Sequence, residues 1–179
     1  MTGGNRPNLA HMGIFVRNPE AMASFYTRVF GLIITDRGVG RTFKNELIFL
    51  SGAADQHHQL VLSGGRAPGA PSTVMQISFK VDDLENLRTL RAKALDHGAT
   101  DLIGLNHGNA WSIYFLDPEE NRIEVYLDTP FHTPQPCGEP LNLEQSEADL
   151  LAETEAMVKT LPGSRPRSEF TKEMAALLS

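Results

Sequence analysis

The sequence predicts an α+β protein built from two βαβββ repeats that form a curved, half-open barrel, followed by a proline-rich arm and helices. Three observations lead to this prediction. Two strand-like segments, residues 9–16 and 74–81, can be aligned so that apolar residues of one lie opposite apolar residues of the other. Each is followed by a helical pattern and then by three more strand-like segments. The composition changes after Pro130, where the repeats end.

The first repeat covers about residues 8–65. After its opening strand, a helix is predicted over residues 19–30, because Pro19 suits the first helical turn and Gly31 suits the C-terminal stop. Segments rich in β-branched and aromatic residues then predict three strands, at residues 32–36, 42–50 and 57–62.

The second repeat covers about residues 73–130 and has the same order of elements. Its helix is predicted over residues 84–97, with Asp82 or Asp83 as the N-cap and Gly98 as the stop. Its three later strands are predicted at residues 101–105, 111–116 and 122–127. Residues 8–130 are therefore predicted to form one domain.

Residues 131–179 are predicted to be a C-terminal extension. Its first part is an extended proline-rich arm that should not continue a sheet. Helical spacing follows over residues 143–161, and a shorter helix is predicted over residues 168–178. The incomplete apolar stripe of the first helix needs a partner surface, either the barrel mouth, as a lid, or a second subunit. We expect a homodimer, because paired βαβββ units leave exposed sheet edges.

Composition limits the possible functions. The formal net charge of −6 disfavours a nucleic-acid partner. No run reaches the ~18 apolar residues of a membrane span, and residues 1–8 lack the apolar core of a signal peptide, so we expect a cytoplasmic protein without a membrane partner. Cys137 is the single cysteine, which excludes an intramolecular disulfide and a thiolate-cluster zinc site. A bound metal would need histidine, carboxylate or amide ligands.

Superposing the repeats places His11 opposite Gln76 and His58 opposite Glu124. Side chains alternate between the faces of a strand, so a polar residue among inward apolar ones lies over the concave side of the sheet. A lone strand histidine is more often a hydrogen-bonded core residue than a ligand. Four nitrogen or oxygen donors at matched positions of a duplicated unit instead favour a site for a divalent cation.

Three motifs make the chain resemble the vicinal-oxygen-chelate superfamily, which includes glyoxalases, extradiol dioxygenases, fosfomycin-resistance transferases and methylmalonyl-CoA epimerases. The motifs are Leu9-Ala-His11, Phe25-Tyr26-x-x-Val29-Phe30-Gly31-Leu32 and Phe115-Leu-Asp-Pro-x-x-Asn-x-Ile-Glu124-Val. The resemblance implies that His11, Gln76 and Glu124 are the metal ligands.

Within that superfamily the chain looks most like the type I extradiol dioxygenases. The similarity rests on a histidine, an apolar-Tyr pair and Asp-Pro before the ligand glutamate, here His107, Ile113-Tyr114, Asp117-Pro118 and Glu124, and on the His57-His58 pair. It implies Fe(II), a catechol-like aromatic substrate and dioxygen. His58 would be the acid–base group, Tyr114 a hydrogen-bond donor at the open side of the metal, and His107 a residue that orients the substrate or completes a proton route.

Two positions depart from the extradiol pattern. Gln76 stands where those enzymes have a second histidine ligand, and Glu120 stands where the turn usually has glycine. The Gln76 amide favours a non-redox enzyme of glyoxalase or epimerase type, which would act on a ketone with Mn, Ni, Co or Zn. A metal-free binding protein of the bleomycin-resistance type is a third alternative.

Overall fold

The computed structural model describes residues 7–179, and it contains the two predicted repeats. The first repeat comprises β1 (Met12–Val16), α1 (Pro19–Phe30), β2 (Ile33–Val39), β3 (Glu46–Ser51) and β4 (Leu60–Gly64). The second comprises β5 (Ile77–Lys80), α2 (Leu84–Asp96), β6 (Thr100–Asn106), β7 (Ala110–Leu116) and β8 (Arg122–Asp128). The βαβββ order is confirmed in both.

Each repeat forms its own curved, open sheet. The strand order is β1-β4-β3-β2 in the first sheet and β6-β7-β8-β5 in the core of the second. In both, the first strand of the repeat pairs in parallel with the last, and the other pairs are antiparallel. Over the described residues the sheets do not close into a barrel, in agreement with the half-open architecture expected from the sequence.

Local signals explain why α1 has the predicted bounds. The side chain of Asn18 accepts the backbone N–H of Ala21 at 3.1 Å, and Pro19 occupies the first turn. Gly31 ends the helix with φ of 69°, a left-handed conformation that glycine adopts without strain. The helix buries Met22 and Tyr26 against the sheet.

The strand predicted over residues 57–62 begins at Leu60 instead. The chain between β3 and β4 forms a loop in which the Ser51 hydroxyl donates to the carbonyl of Gln56 at 2.9 Å. Pairing resumes when the N–H of Gln59 reaches the carbonyl of Leu50 at 2.8 Å. His58 therefore lies in this loop and not in a strand.

Glu119 joins the two repeats. Its carboxylate accepts the backbone N–H groups of Arg17, at 2.6 and 2.8 Å, and of Asn18, at 2.7 Å, where β1 passes into α1. At the other end of α1, the ring of Phe30 stacks on that of Phe79 in β5 with centroids 3.9 Å apart. Phe30 and Phe79 pack against one hydrophobic core that contains residues of both repeats.

The C-terminal extension comprises β9 (Phe131–His132), β10 (Glu139–Pro140), α3 (Glu147–Thr160), β11 (Arg165–Pro166) and α4 (Arg167–Leu178). Both helices were predicted, and α3 starts later than expected because Ser146 caps it by accepting the N–H of Asp149. The expectation that the proline-rich arm would not continue a sheet is wrong, since β10 pairs with the edge strand β6. An edge position tolerates proline.

α3 is anchored to the second repeat by a buried threonine. The Thr154 hydroxyl accepts from Asn106 Nδ2 and from Trp111 Nε1, both at 2.8 Å. The same hydroxyl donates to the carbonyl of Leu150 at 2.7 Å. The extension is thus packed against the domain.

None of the helices within residues 7–179 is long and apolar enough to cross a membrane. The expectation that the chain lacks a signal peptide concerns mainly residues 1–6, which lie outside the described residues.

Candidate metal site and substrate pocket

Glu124 lies at the centre of β8 and is 8% exposed. Tyr114 in β7 and Ser78 in β5 are its direct cross-strand neighbours. One carboxylate oxygen accepts from the Tyr114 hydroxyl at 2.6 Å and from the Ser112 hydroxyl at 3.0 Å. The other accepts from the Ser78 hydroxyl at 2.6 Å and from Gln76 Nε2 at 2.8 Å. Four donors therefore hold one buried carboxylate in place.

Gln76 immediately precedes β5 and is half-buried. Its amide nitrogen also donates to the Ser78 hydroxyl at 3.0 Å. Because the nitrogen and oxygen of an amide point in different directions, the oxygen of Gln76 faces away from the Glu124 carboxylate. The structure thus brings Gln76 and Glu124 into direct contact.

The histidines of the first repeat form a second group. His11 precedes β1, and its ring centroid is 4.3 Å from that of His58. Nδ1 of His58 is 2.9 Å from Nδ1 of His57. Burial lowers the pKa of His58, and the neighbouring imidazoles of His11 and His57 lower it further. His58 is therefore biased toward its neutral, proton-accepting form.

A cavity of about 440 Å³ has residues of both repeats in its lining, residues 9–12 from the first and residues 77–80 from the second. His11 and Ser78 therefore border the same cavity, and Ser78 is hydrogen-bonded to both Gln76 and Glu124. Within residues 7–179 no three His, Cys, Asp or Glu side chains gather closely enough to hold a metal. The rings of His11 and His58 contact each other, and the side chains of Gln76 and Glu124 are hydrogen-bonded to each other.

The donor types fit a divalent first-row metal. His11 offers an imidazole nitrogen, Gln76 an amide oxygen and Glu124 a carboxylate oxygen, a set that suits Fe(II), Mn, Co, Ni or Zn. Hydrogen bonds from Ser78, Ser112 and Tyr114 orient the carboxylate, as the outer partners of metal ligands commonly do.

A hydrogen-bonded relay leads from Glu124 to His107. Nε2 of His107 is 3.0 Å from the Tyr114 hydroxyl, which donates to Glu124. Nδ1 of His107 contacts the carbonyl of Cys137, which can only accept, so Nδ1 carries a proton. Burial raises the pKa of Tyr114, and its hydrogen bond to Glu124 raises it further, so Tyr114 remains a donor at neutral pH.

The relay lines a second cavity, of about 370 Å³. Glu124, Tyr126 and Asp128 alternate along β8 and form its inner wall, while the C-terminal extension forms its outer wall. The outer wall comprises Phe131, His132, Gln135, Arg167 and Phe170.

Sequence reasoning did not identify Ser78, Ser112 or the residues of the outer wall. The two serines had a signal, because each interrupts an apolar strand on the same face as a predicted donor. No signal in the sequence indicated the residues of the outer wall, since their position depends on how residues 131–179 fold back onto the second sheet.

The model of the Glyoxalase/Bleomycin resistance protein/Dioxygenase superfamily matches residues 8–125. Two proteins of Rhodococcus globerulus are similar in sequence. Biphenyl-2,3-diol 1,2-dioxygenase 3 is 24% identical over 180 residues, covering 96% of this chain and 90% of that protein. Biphenyl-2,3-diol 1,2-dioxygenase 2 is 27% identical over 134 residues, covering 72% of this chain and 66% of that protein.

Solved structures share the fold. The fosfomycin resistance protein FosX of Mesorhizobium loti is 22% identical, with a TM-score of 0.54 over 69% of this chain and 94% of that one. A glyoxylase/bleomycin resistance protein/dioxygenase domain of Frankia sp. EAN1pec is 20% identical, with a TM-score of 0.55 over 70% of this chain and all of that one (100%).

Proposed function

The chain belongs to the glyoxalase/bleomycin resistance protein/dioxygenase superfamily, and from that membership we propose that it is a metal-dependent extradiol dioxygenase acting on a catechol-like aromatic. Two sequence relatives that span most of this chain are biphenyl-2,3-diol dioxygenases.

The observation that carries the proposal is the Glu124–Tyr114–His107 relay, which lines a cavity large enough for a small aromatic molecule. Binding a diol next to a metal requires a group that accepts the hydroxyl proton and groups that hold hydrogen bonds to the substrate. The relay and His58 provide both kinds of group.

His11, Gln76 and Glu124 would hold the metal, with Fe(II) as the expected ion. When bound, the metal would supply Lewis acidity and, if it is iron, a path for electrons from the diol to dioxygen. For all three residues to bind one metal ion, His11 would have to reach across the 440 Å³ cavity toward Gln76 and Glu124.

The chain's own residues would handle the protons. His58, whose pKa is lowered chiefly by burial, would accept a proton from a substrate hydroxyl bound beside His11 and return it to the product. The Tyr114 hydroxyl donates its one proton to Glu124 and its oxygen lies 3.0 Å from Nε2 of His107, so it would meet a substrate hydroxyl as an acceptor.

The test is metal analysis of protein purified without oxygen, followed by oxygen uptake after addition of Fe(II) and 2,3-dihydroxybiphenyl or simple catechols. We expect bound iron, oxygen uptake and a yellow ring-cleavage product. His11→Ala and Glu124→Ala should lose both iron and uptake, and Gln76→His should keep both and bind iron more tightly. His97→Ala removes a histidine at the end of α2 and serves as the control.

A second candidate is a non-redox enzyme of glyoxalase or epimerase type, acting on a small ketone. The observation that favours it is Gln76, a neutral amide at a ligand position. Bound Mn, Ni, Co or Zn without oxygen uptake would support it in place of the dioxygenase. A protein that binds no metal at all would instead point to a ligand-binding protein of the bleomycin-resistance type.

We also propose a homodimer. β2 is an edge strand, and Ile33 and Val39 on it are 67% and 66% exposed. Apolar side chains on an open edge favour association with another chain. Light scattering coupled to size-exclusion chromatography measures the mass directly, and a monomer at micromolar concentration would contradict the proposal.

A further inference from the structure

The outer wall of the 370 Å³ cavity is held by several independent contacts. β11 pairs with β9, and the ring of Phe170 in α4 stacks on that of His132 with centroids 3.9 Å apart and planes within 4°. The N–H of Arg167 donates to the carbonyl of Pro130 at 2.8 Å. This clamp, residues 131–132 and 165–170, places the side chain of Arg167 in the cavity lining.

Charge is distributed unevenly along the cavity. Asp128 is contacted by two cations, Arg167 at 2.5 Å and Lys80 on the opposite side. Arg167 belongs to the cavity lining and Lys80 does not, so the cation that a ligand in this cavity would meet beside Asp128 is Arg167. The guanidinium of Arg167 has five N–H donors, and its pair with Asp128 leaves donors for a second anion.

The two ends of the cavity are set by β8. Glu124 and Asp128 lie four positions apart on the same face, which places their Cα atoms ~13 Å apart. A diol held at Glu124 and Tyr114 would therefore direct a substituent of a few atoms toward Asp128 and Arg167. The rings of Tyr126, Phe131 and Phe170 line the path between the two ends.

From this arrangement, and resting on the proposed function, we propose that the C-terminal clamp selects the substrate: the cavity takes a catechol-like ring that bears an anionic substituent, and Arg167 binds the anion. A carboxylate on a short chain is the simplest such group. A substrate with a neutral second ring in place of the anionic group would offer Arg167 no charge to bind. The proposed substrates therefore differ from the neutral diols after which the two sequence relatives are named.

The anion site does not need the metal, so it can be tested on chelator-treated protein. The probes are 3-phenylpropionate and its neutral counterpart 3-phenylpropan-1-ol, titrated while backbone NMR signals of residues 124–132 and 165–170 are followed. We expect the acid to bind about tenfold more tightly than the alcohol, as for a partly exposed charge-assisted pair. Equal affinities would overturn the proposal.

Three variants sharpen the test. Arg167→Gln should abolish the preference for the acid, and Lys172→Gln, which removes a charge on the exposed face of α4, should leave the preference intact. Asp128→Asn removes the competing carboxylate and should strengthen binding of the acid, an effect that unfolding of the clamp cannot imitate. Loss of acid binding in Asp128→Asn would overturn the role of Arg167.

Turnover separates this inference from the proposed function. With Fe(II) present, kcat/KM for 3-(2,3-dihydroxyphenyl)propionate should exceed that for 2,3-dihydroxybiphenyl, and Arg167→Gln should remove the advantage mainly through KM. Ring cleavage without preference for the acid would refute the inference and keep the dioxygenase. Preferential binding of the acid without ring cleavage would refute the dioxygenase and keep the anion site.

Discussion

At the scale of single residues, Glu124 shows how the alternation of side chains along strands can orient a carboxylate before any metal binds. The period of two along β7 and β5 puts Ser112, Tyr114 and Ser78 on the same face as this carboxylate. Their hydroxyls and the Gln76 amide fix both of its oxygens. A ligand that is already oriented loses less conformational freedom when a metal binds.

Tyr114→Phe should separate metal binding from turnover. The change removes the hydroxyl between His107 and Glu124 and leaves three of the four hydrogen bonds to the carboxylate. We expect metal content to stay near the wild-type level and kcat to fall about tenfold or more, the scale of a lost proton-handling group. Steady-state kinetics on metal-quantified protein measures this, and an unchanged kcat would remove Tyr114 from the relay.

Asp117 belongs to the motif that carried the family resemblance, and its role is structural. It accepts from the hydroxyl of Tyr26 at 2.9 Å and from the N–H groups of Glu119 and Asn121, each at 2.9 Å. Burial is the main reason why the pKa values of both Asp117 and Tyr26 are raised. The turn also holds Glu120 at φ of 66°, which explains why glycine is usual there.

Asp117→Ala should destabilise the protein far more than Tyr26→Phe. The alanine variant leaves several buried donors without an acceptor and should lower the free energy of unfolding by roughly 3–5 kcal/mol. The phenylalanine variant loses one hydrogen bond, worth roughly 1 kcal/mol. Urea denaturation measures both, and similar losses would mean that Asp117 matters only through Tyr26.

At the scale of elements, the turn between β6 and β7 ties the extension to the domain. Gly108 has φ of 76°, and a Cβ there would lie 2.5 Å from the Thr133 hydroxyl and 3.2 Å from a methyl group of Val158 in α3. The turn, the arm and α3 therefore meet at a point where only glycine fits.

Gly108→Ala and Gly31→Ala make a matched pair, because both glycines have positive φ and only Gly108 is crowded. We expect Gly31→Ala to cost about 1 kcal/mol for the left-handed backbone alone. Gly108→Ala should cost at least about 3 kcal/mol, since Thr133 must also move. Thermal unfolding compares them, and equal costs would show that the extension yields easily at this contact.

The C-terminal clamp should loosen in acid because of His132. Burial is the largest cause that lowers the pKa of His132, with Arg165 and Arg167 also lowering it and Glu173 opposing them. A lowered pKa means that the folded clamp favours neutral His132, so its stabilising contribution is present above the ordinary pKa of 6.5 and is lost as pH falls through the lowered value.

Hydrogen exchange of residues 165–178 at about pH 7.5 and about pH 5.5 tests this prediction. Exchange, corrected for its intrinsic pH dependence, should be faster in acid. His132→Gln cannot gain the charge and should show no acid-induced increase. Persistence of the increase in that variant would assign it to another group.

At the scale of the whole molecule, the C-terminal extension serves two separate purposes. α3 buries Leu150, Thr154 and Val158 against the domain and holds Trp111 and Asn106. α4 buries no residue fully and contributes to the cavity wall. One part of the extension therefore supports the fold, and the other supports the pocket.

Two truncations should reveal this division. Removing residues 167–179 should cost roughly 1 kcal/mol or less of stability and weaken substrate binding. Removing residues 143–179 also exposes the apolar surface under α3 and leaves Trp111 Nε1 without its acceptor, and should cost more than roughly 3 kcal/mol. Comparable losses in urea denaturation would contradict the assignment of α4 to the pocket alone.

The sequence by itself determined the two repeats and the bounds of α1. Proline, asparagine and glycine at the ends of α1 act through neighbouring backbone atoms, so they can be recognised without the fold. The match of His11 with Gln76 depends only on the duplication. The duplication also indicated Glu124 as a donor. The sequence placed His58 in a strand, because the hydrogen bond from Ser51 that shapes the loop leaves no recognisable pattern in the sequence.

Only the tertiary structure decided which donors meet. Gln76, Ser78 and Glu124 converge because β5 pairs with β8, while His11 borders the same cavity as Ser78. The clamp that closes the pocket is held by the pairing of β11 with β9 and by a ring stack between His132 and Phe170. Such contacts join residues far apart in the chain, and their free energy is gained only when the packed core brings them together, so no local pattern records them.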